Sequence, residues 1–378
     1  MRNVKLKAGM FLAPFHPVEE DPTLCFERDL ELARFCDDLG MAEFWFGEHH
    51  SGGYEMSASP ELMIAAAAQR TKRIRLGTGV VSLPYHNPLT TANRIAQLDH
   101  LTRGRLIFGA GPGLLVTDSQ MLGLDANEAR AKLDEGLSVI LRLLRGEWVT
   151  EKTDWYDLTN AHCQVMPSNE ALEVCVASTF SPNGGRLAAK HQAGLLCLAS
   201  TIYDGFDALS TNWGIAQAAA QKLGRTMSPA NVRCATEMHI AETRDEAMDQ
   251  ARHGYKRYLR YIGNYTGHLE NSAAHISLEE LIERREVVVG TPDDAIAQIR
   301  RLEEKVPDFG YLLLLDKNWT RDDHKRRSLE MLSRYVLPEI NNVNANRQRS
   351  FDWVGSHREG LMDAFAAATK SGFHQKQS

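Results

Sequence analysis

The chain alternates between short, wholly apolar runs and longer stretches in which apolar residues recur every three or four positions. Residues 4–12 read as a strand and 23–39 as a helix, followed by a strand at 43–46 and a helix at 60–70. The rhythm continues with a strand at 74–83, a helix at 90–101, a strand at 106–110 and a helix at 128–145. Successive β-α units argue for a parallel sheet, and uninterrupted apolar runs fit strands covered on both faces. Further strands at 173–177, 195–199, 232–241 and 309–315 bring the count to eight, the number that closes a (β/α)8 barrel. The expected fold is therefore α/β, a TIM barrel with insertions, forming a single domain over residues 1–342.

Some segments break the rhythm. Residues 146–170 carry Trp148, Trp155 and Tyr156 among polar neighbours and read as an excursion, a hairpin at 147–167. The stretch 247–288 is long for a βα connection and contains Tyr255, Tyr258, Tyr261 and Tyr265 with Gly254, Gly263 and Gly267. Tyrosines at helical spacing suggest a packing stripe, whereas a long insertion above the strand ends suggests a lid. Thr291-Pro292-Asp293-Asp294 reads as a helix start, with a Thr cap, Pro in the first turn and acids at the positive helix end. The last barrel helix is expected over 322–341, and residues 343–378 form a polar tail with a short amphipathic piece at 362–368.

Composition narrows the classes. The 378 residues are 43% hydrophobic and 24% charged, as in an ordinary globular protein. A net charge of −6 gives no support to nucleic-acid binding or an anionic membrane surface. The basic run Lys325-Arg326-Arg327 shares a helical pattern with Glu330 and reads as a solvated face. No apolar run approaches the roughly 18 residues of a membrane span, and the start lacks the apolar core of a signal peptide. The six cysteines (Cys25, Cys36, Cys163, Cys175, Cys197, Cys234) show no C-x-x-C spacing. A reduced, cytoplasmic protein with neither disulfides nor zinc is expected.

Candidate chemistry concentrates where strands end. The apolar strand at 43–46 runs through Gly47 into Glu48-His49-His50, and barrel enzymes place their chemistry at the carboxyl ends of strands. Adjacent strand residues face opposite ways, so His49 and His50 are not expected to chelate one metal; one imidazole faces the mouth and the other supports it. A purely supporting pair explains them as well. Gly109-Ala110-Gly111-Pro112-Gly113 follows a strand, but the third glycine of a dinucleotide fingerprint would fall at Leu114 and no helix opens there. Either something flat approaches this strand end or the glycines make a tight turn. Gly77 and Gly79 raise the same question in the third strand. Ser178, Thr179 and Ser181, with Gly184 and Gly185, precede a helix at 186–191. N-capping explains one hydroxyl, and a phosphate seat explains several. Hydrolase elbows, H-E-x-x-H, Walker and calcium loops do not occur in the sequence.

In this order the pieces resemble the luciferase-like flavin-dependent monooxygenase superfamily over about residues 5–340. The matching motifs are G-M-F-L (9–12), E-H-H (48–50), I-R-L-G-T-G-V-V-S-L-P-Y-H-N-P (74–88), L-D-H-L-T-R-G-R (98–105), A-S-T-F-S-P (177–182) and V-G-T-P-D-D (289–294). F-L-A-P-F-H (11–16) and G-E-H-H-S-G (47–52) are most similar to the limonene 1,2-monooxygenase group.

The resemblance implies a barrel that takes reduced FMN from a separate NAD(P)H-dependent flavin reductase. It implies that O2 adds at flavin C4a, and that the peroxyflavin passes one oxygen atom to a small apolar terpenoid or ketone. It assigns His49 to the family's catalytic histidine, with Glu48 beside it. Gly79-Val80 matches a non-prolyl cis peptide behind the isoalloxazine, and Ser178, Thr179 and Ser181 match the FMN-phosphate region. Phe11 and Gly111 complete the expected flavin contacts, and Phe11, Trp45, Tyr85 and Phe108 are candidate pocket walls that core packing also explains, most readily for Phe108. Bacterial luciferase has a reactive cysteine and a phosphate-binding arginine after strand four, where this chain has Gly111 and Pro112. Light emission is therefore not expected. A homodimer is expected from the family. The alternatives are an F420-dependent hydride-transfer oxidoreductase on the same barrel and a non-catalytic flavin-binding protein.

Overall fold

The computed structural model describes residues 2–13, 15–113, 115–179, 181–202, 207–266 and 275–374. Its first half follows the expected rhythm: β1 (Lys7–Leu12), α1 (Pro22–Asp38), β2 (Glu43–Phe46), α2 (Pro60–Ala68), β3 (Arg75–Thr78), β4 (Val81–Ser82), α3 (Pro88–Thr102), β5 (Leu106–Gly111), α4 (Val116–Met121) and α5 (Ala129–Leu144). The excursion is an antiparallel hairpin of β6 (Val149–Lys152) and β7 (Asp157–Ala161). Then come β8 (Glu173–Ser178), α6 (Asn183–His191), β9 (Gly194–Cys197), α7 (Ala208–Lys222), β10 (Val232–Ile240) and α8 (Arg244–Thr266). The chain ends with α9 (Leu278–Glu283), β11 (Val287–Gly290), α10 (Pro292–Lys305), β12 (Tyr311–Asp316), α11 (Asp322–Met331), α12 (Leu337–Ile340), α13 (Ala345–Ser356) and α14 (Arg358–His374).

Local chemistry explains the helix starts. In α1, α2 and α3 a polar cap is followed at once by proline: Asp21-Pro22, Ser59-Pro60 and Asn87-Pro88. Each cap side chain accepts a backbone N–H of the first turn, and proline sacrifices only an N–H that would have no helical partner. At α10 the Thr291 N–H donates to Asp294 at 3.0 Å, closing the expected start.

Strands β1, β2, β3, β5, β8, β9, β10 and β12 pair in parallel, and β9 returns to β10, closing an eight-stranded barrel. The third strand is not continuous as expected. It divides into β3 and β4, and the Gly79-Val80 peptide between them is cis. A further strand, β11, was not anticipated; it pairs with residues 237–240 of β10, beyond the part that closes the barrel. The tail, read as polar chain, is helical as α13 and α14, and residues 346–370 are exposed. Of the stretch considered as a lid, α8 is a continuous helix, and residues 267–274 lie outside the described residues. Tyr255 and Tyr261 of α8 are buried and Tyr258 is half-buried. Among the described residues no helix is long and apolar enough to cross a membrane.

Alternation along β2 separates two cores. Phe44 and Phe46 join the layer beneath the helices, while Trp45 fills the barrel with Phe11, Ile107, Cys175, Leu196, Ala235 and Leu313. Trp45 is 0% exposed and its Nε1 donates to Glu43 at 3.0 Å. It is therefore interior filling rather than the pocket wall expected from the sequence. A Cβ at Gly77 would meet the Trp45 indole at 2.4 Å, and one at Gly109 would meet it at 2.9 Å. The flat group that Gly77 admits is the protein's own tryptophan, while Gly109 first makes room for the Thr78 carbonyl, which a Cβ would meet at 2.0 Å. Phe108 packs in the outer core.

At the amino ends of the strands lies a buried ion cluster. Arg233, 0% exposed, donates to both Glu43 oxygens at 2.9 and 2.7 Å and to Glu173 at 2.7 Å. Arg75 adds an ion pair to Glu173 at 2.6 Å. Burial works against the arginine's charge, but the neighbouring carboxylates reverse this and hold Arg233 well above its ordinary range.

Candidate active site

The opposite rim, where the strands end, collects residues from many connections. Past β2, Glu48 is buried and accepts three hydrogen bonds: from His50 Nε2 at 3.1 Å, His86 Nε2 at 2.6 Å and the Ser82 N–H at 2.6 Å. Burial alone would raise its pKa, yet the bonds from His50 and His86 and the nearby charge hold it at about 2. Glu48 is thus an ionised carboxylate that ties the β2 end to the β4 segment and to two imidazoles.

His49 lies on the other side. Its Nδ1 is 3.1 Å from Asp118 Oδ2 of α4, and its Nε2 is 3.2 Å from Glu55 Oε2. Burial pushes the imidazole pKa down, but the Glu55 charge and the Asp118 hydrogen bond and charge more than offset this, leaving it above its ordinary value. His50 is also raised, chiefly by its hydrogen bond to Glu48. Asp118 in turn accepts the His50 N–H at 3.1 Å and the Ser51 hydroxyl. The Tyr85 ring lies edge-on to His50, with centroids 5.8 Å apart.

Four expected flavin contacts meet at this rim. A Cβ on Gly79 would touch the Phe11 ring at 2.8 Å, and one on Gly111 would touch Val80 Cγ2 at 2.5 Å. Phe11, Gly79, Val80 and Gly111 are therefore contiguous. Half-buried Val80, Leu198 and Leu315 crown the interior cluster with an apolar surface.

Ser178, at the end of β8, is buried, and its Oγ has no hydrogen-bond partner among the described residues. Thr179 and Ser181 are half-buried beside it, while Phe180 between them lies outside the described residues. No described side chain caps α6, so its first-turn amides stay available. An unpartnered buried hydroxyl before an uncapped helix start fits the phosphate of FMN. The two glycines have a different reason. A Cβ at Gly184 would sit 2.6 Å from the Ala177 carbonyl, and one at Gly185 would sit 2.5 Å from the Asn212 carbonyl. They let α6 pack closely against β8 and α7 and are not phosphate ligands by necessity.

The sequence reading missed Asp118, Glu55 and His86 as partners. His86 stood within a quoted motif, next to the third strand. Asp118 sits on a six-residue helix too short for periodicity to reveal, and Glu55 lies outside any helix or strand.

Comparison with known proteins agrees with the fold. The family model described as luciferase-like monooxygenase matches residues 6–308. The chain is 43% identical to the limonene 1,2-monooxygenase of Rhodococcus erythropolis, over 95% of this chain and 93% of that one. It is 41% identical to the 4-hydroxyprotoasukamycin monooxygenase of Streptomyces nodosus subsp. asukaensis, over 93% and 96%. Among solved structures, the oxygenating constituent of 3,6-diketocamphane monooxygenase from Pseudomonas putida, a type II Baeyer-Villiger enzyme in complex with FMN, superposes with a TM-score of 0.73 at 23% identity, covering 89% of this chain and 98% of that one. The chain belongs to the luciferase-like monooxygenase family and is an oxygen-incorporating enzyme.

Proposed function

We propose that this protein is the oxygenating component of a two-component system. It takes reduced FMN from a separate NAD(P)H-dependent flavin reductase and uses O2 to insert one oxygen atom into a small apolar molecule. The observation that carries this reading is the pairing, on one barrel rim, of a half-buried histidine held between two carboxylates with a serine hydroxyl that has no partner among the described residues, beneath a helix start. Ser178, Thr179, Ser181 and the α6 amides would hold the phosphate. Phe11, Gly79, Val80 and Gly111 would back the ring system. FMN, when bound and reduced, supplies the electrons that activate oxygen. His49 holds or releases a proton at Nε2 beside it, with Nδ1 oriented by Asp118, while Glu48 fixes His50 and His86 and so the shape of the rim.

Identity to a limonene 1,2-monooxygenase supports an alkene, and hence epoxidation, as the preferred chemistry. Cyclic ketones are the competing class. The test is oxygen uptake and product analysis with chemically reduced FMN and a panel of cyclic terpene alkenes and ketones. Epoxide formed only with reduced FMN and O2 is the expected result. Turnover with reduced F420 in the absence of oxygen, or no product from either class, would overturn the proposal.

A further inference from the structure

Three connections converge on one carboxylate. The Glu55 backbone bridges to Phe15 after β1, and the His16 N–H donates to the Tyr54 carbonyl at 2.9 Å. The Phe15 ring lies edge-on to Tyr258 and Tyr261 of α8, with centroids 5.4 and 4.9 Å apart. The Tyr261 hydroxyl, itself buried, donates to Glu55 Oε1 at 2.8 Å. The other oxygen of Glu55 is the one beside His49 Nε2.

We infer that Glu55, aimed by the Tyr261 hydroxyl, is a positioning carboxylate that keeps the proton on His49 Nε2, so that the seating of α8 governs the charge of the histidine. The inference rests on the proposed role of His49 as the group that handles a proton beside the flavin. The two imidazole nitrogens are held differently. At Nδ1, Asp118 is fixed locally by the His50 N–H and the Ser51 hydroxyl, both close in the chain to His49. At Nε2, Glu55 takes its aim from a helix 206 residues away in sequence. Movement of α8 therefore changes the Nε2 side and leaves the Nδ1 side in place.

The other charges around His49 do not replace Glu55. Glu48 is engaged by His50 and His86. Lys317, above the same aromatic group, is paired with Glu237 and lies 4.8 Å from the Tyr258 ring centroid. An unneutralised carboxylate within about 4 Å favours the charged imidazole by one pH unit or more. Where α8 lifts away, that support goes and His49 releases its proton more easily.

The test is an NMR titration of the imidazoles in the cofactor-free full chain, with His49→Gln used to assign the resonance. Glu55→Gln should lower the His49 midpoint by about one pH unit or more. Tyr261→Phe should lower it by a smaller amount, and Tyr258→Phe, which keeps the Glu55 contact, should leave it unchanged. The His50 midpoint, set by Glu48, should stay in place in all three. With reduced FMN, the pH profile of turnover should move toward acid by the same increments. A His49 midpoint unmoved in Glu55→Gln and Tyr261→Phe would overturn the inference, as would equal movement of His50, which would mean general loosening. If Glu55→Gln does not fold, Tyr261→Phe decides alone. Full turnover in His49→Ala would instead overturn the catalytic assignment of His49, whatever the titrations show.

Discussion

Strand β2 has a buried carboxylate at its amino end, Glu43, and another just past its carboxyl end, Glu48. Both are held by basic side chains in the barrel, yet their partners differ in kind. Glu43 is held by Arg233 and Arg75, and Glu48 by His50 and His86. Guanidinium keeps its proton throughout the accessible pH range, whereas imidazole gains or loses one near neutrality. The floor is therefore a fixed set of charges and the rim a set that can be changed. The same burial that makes the floor costly to disturb makes the rim responsive to small shifts in its neighbours. Holding and chemistry are thus divided between the two ends of the barrel.

The sharpest way to break this comparison is Arg233→Met. Removing the guanidinium takes both direct hydrogen bonds from buried Glu43 and leaves it only Arg75 at 3.6 Å, which should cost about 3–5 kcal/mol in urea unfolding. A loss of under about 1 kcal/mol would show that the floor does not hold the barrel. At the rim, His49→Ala should lower oxygen transfer by about 10²-fold, with the urea midpoint and FMN affinity little changed. Equal losses of turnover, binding and stability would make the rim another structural cluster. The smallest effect is expected from Ser178→Ala. Its hydroxyl has no partner among the described residues, so the fold should lose nothing by its removal. FMN titration followed by fluorescence should show about tenfold weaker binding, the lower end for a hydrogen bond to a charged group. Unchanged affinity would remove Ser178 from the phosphate seat.

Much of the frame was legible along the chain. The Asp21-Pro22, Ser59-Pro60 and Asn87-Pro88 starts act within one turn, and each barrel strand carries its own apolar run. β11 is not legible along the chain because four residues are too few for periodicity to mark a strand. The helices α13 and α14 are not legible along the chain because their described side chains show no buried stripe to signal them, although α14 is rich in good helix formers. Glu48, His49 and His50 were placed correctly at a strand end. The meaning of the glycines was not: Gly77 makes room for Trp45 on the neighbouring strand and Gly109 for the Thr78 carbonyl, contacts that only the strand register reveals.

By itself the sequence determined what depends on neighbours a few residues apart: strand and helix positions, caps, and which strand end carries ionisable groups. The tertiary structure alone decided what those groups do to one another. Asp118 reaches His49 across 69 residues and Tyr261 reaches Glu55 across 206. An imidazole's charge depends on the distance and orientation of such partners. Closing the barrel fixes these quantities, and the order of residues along the chain does not.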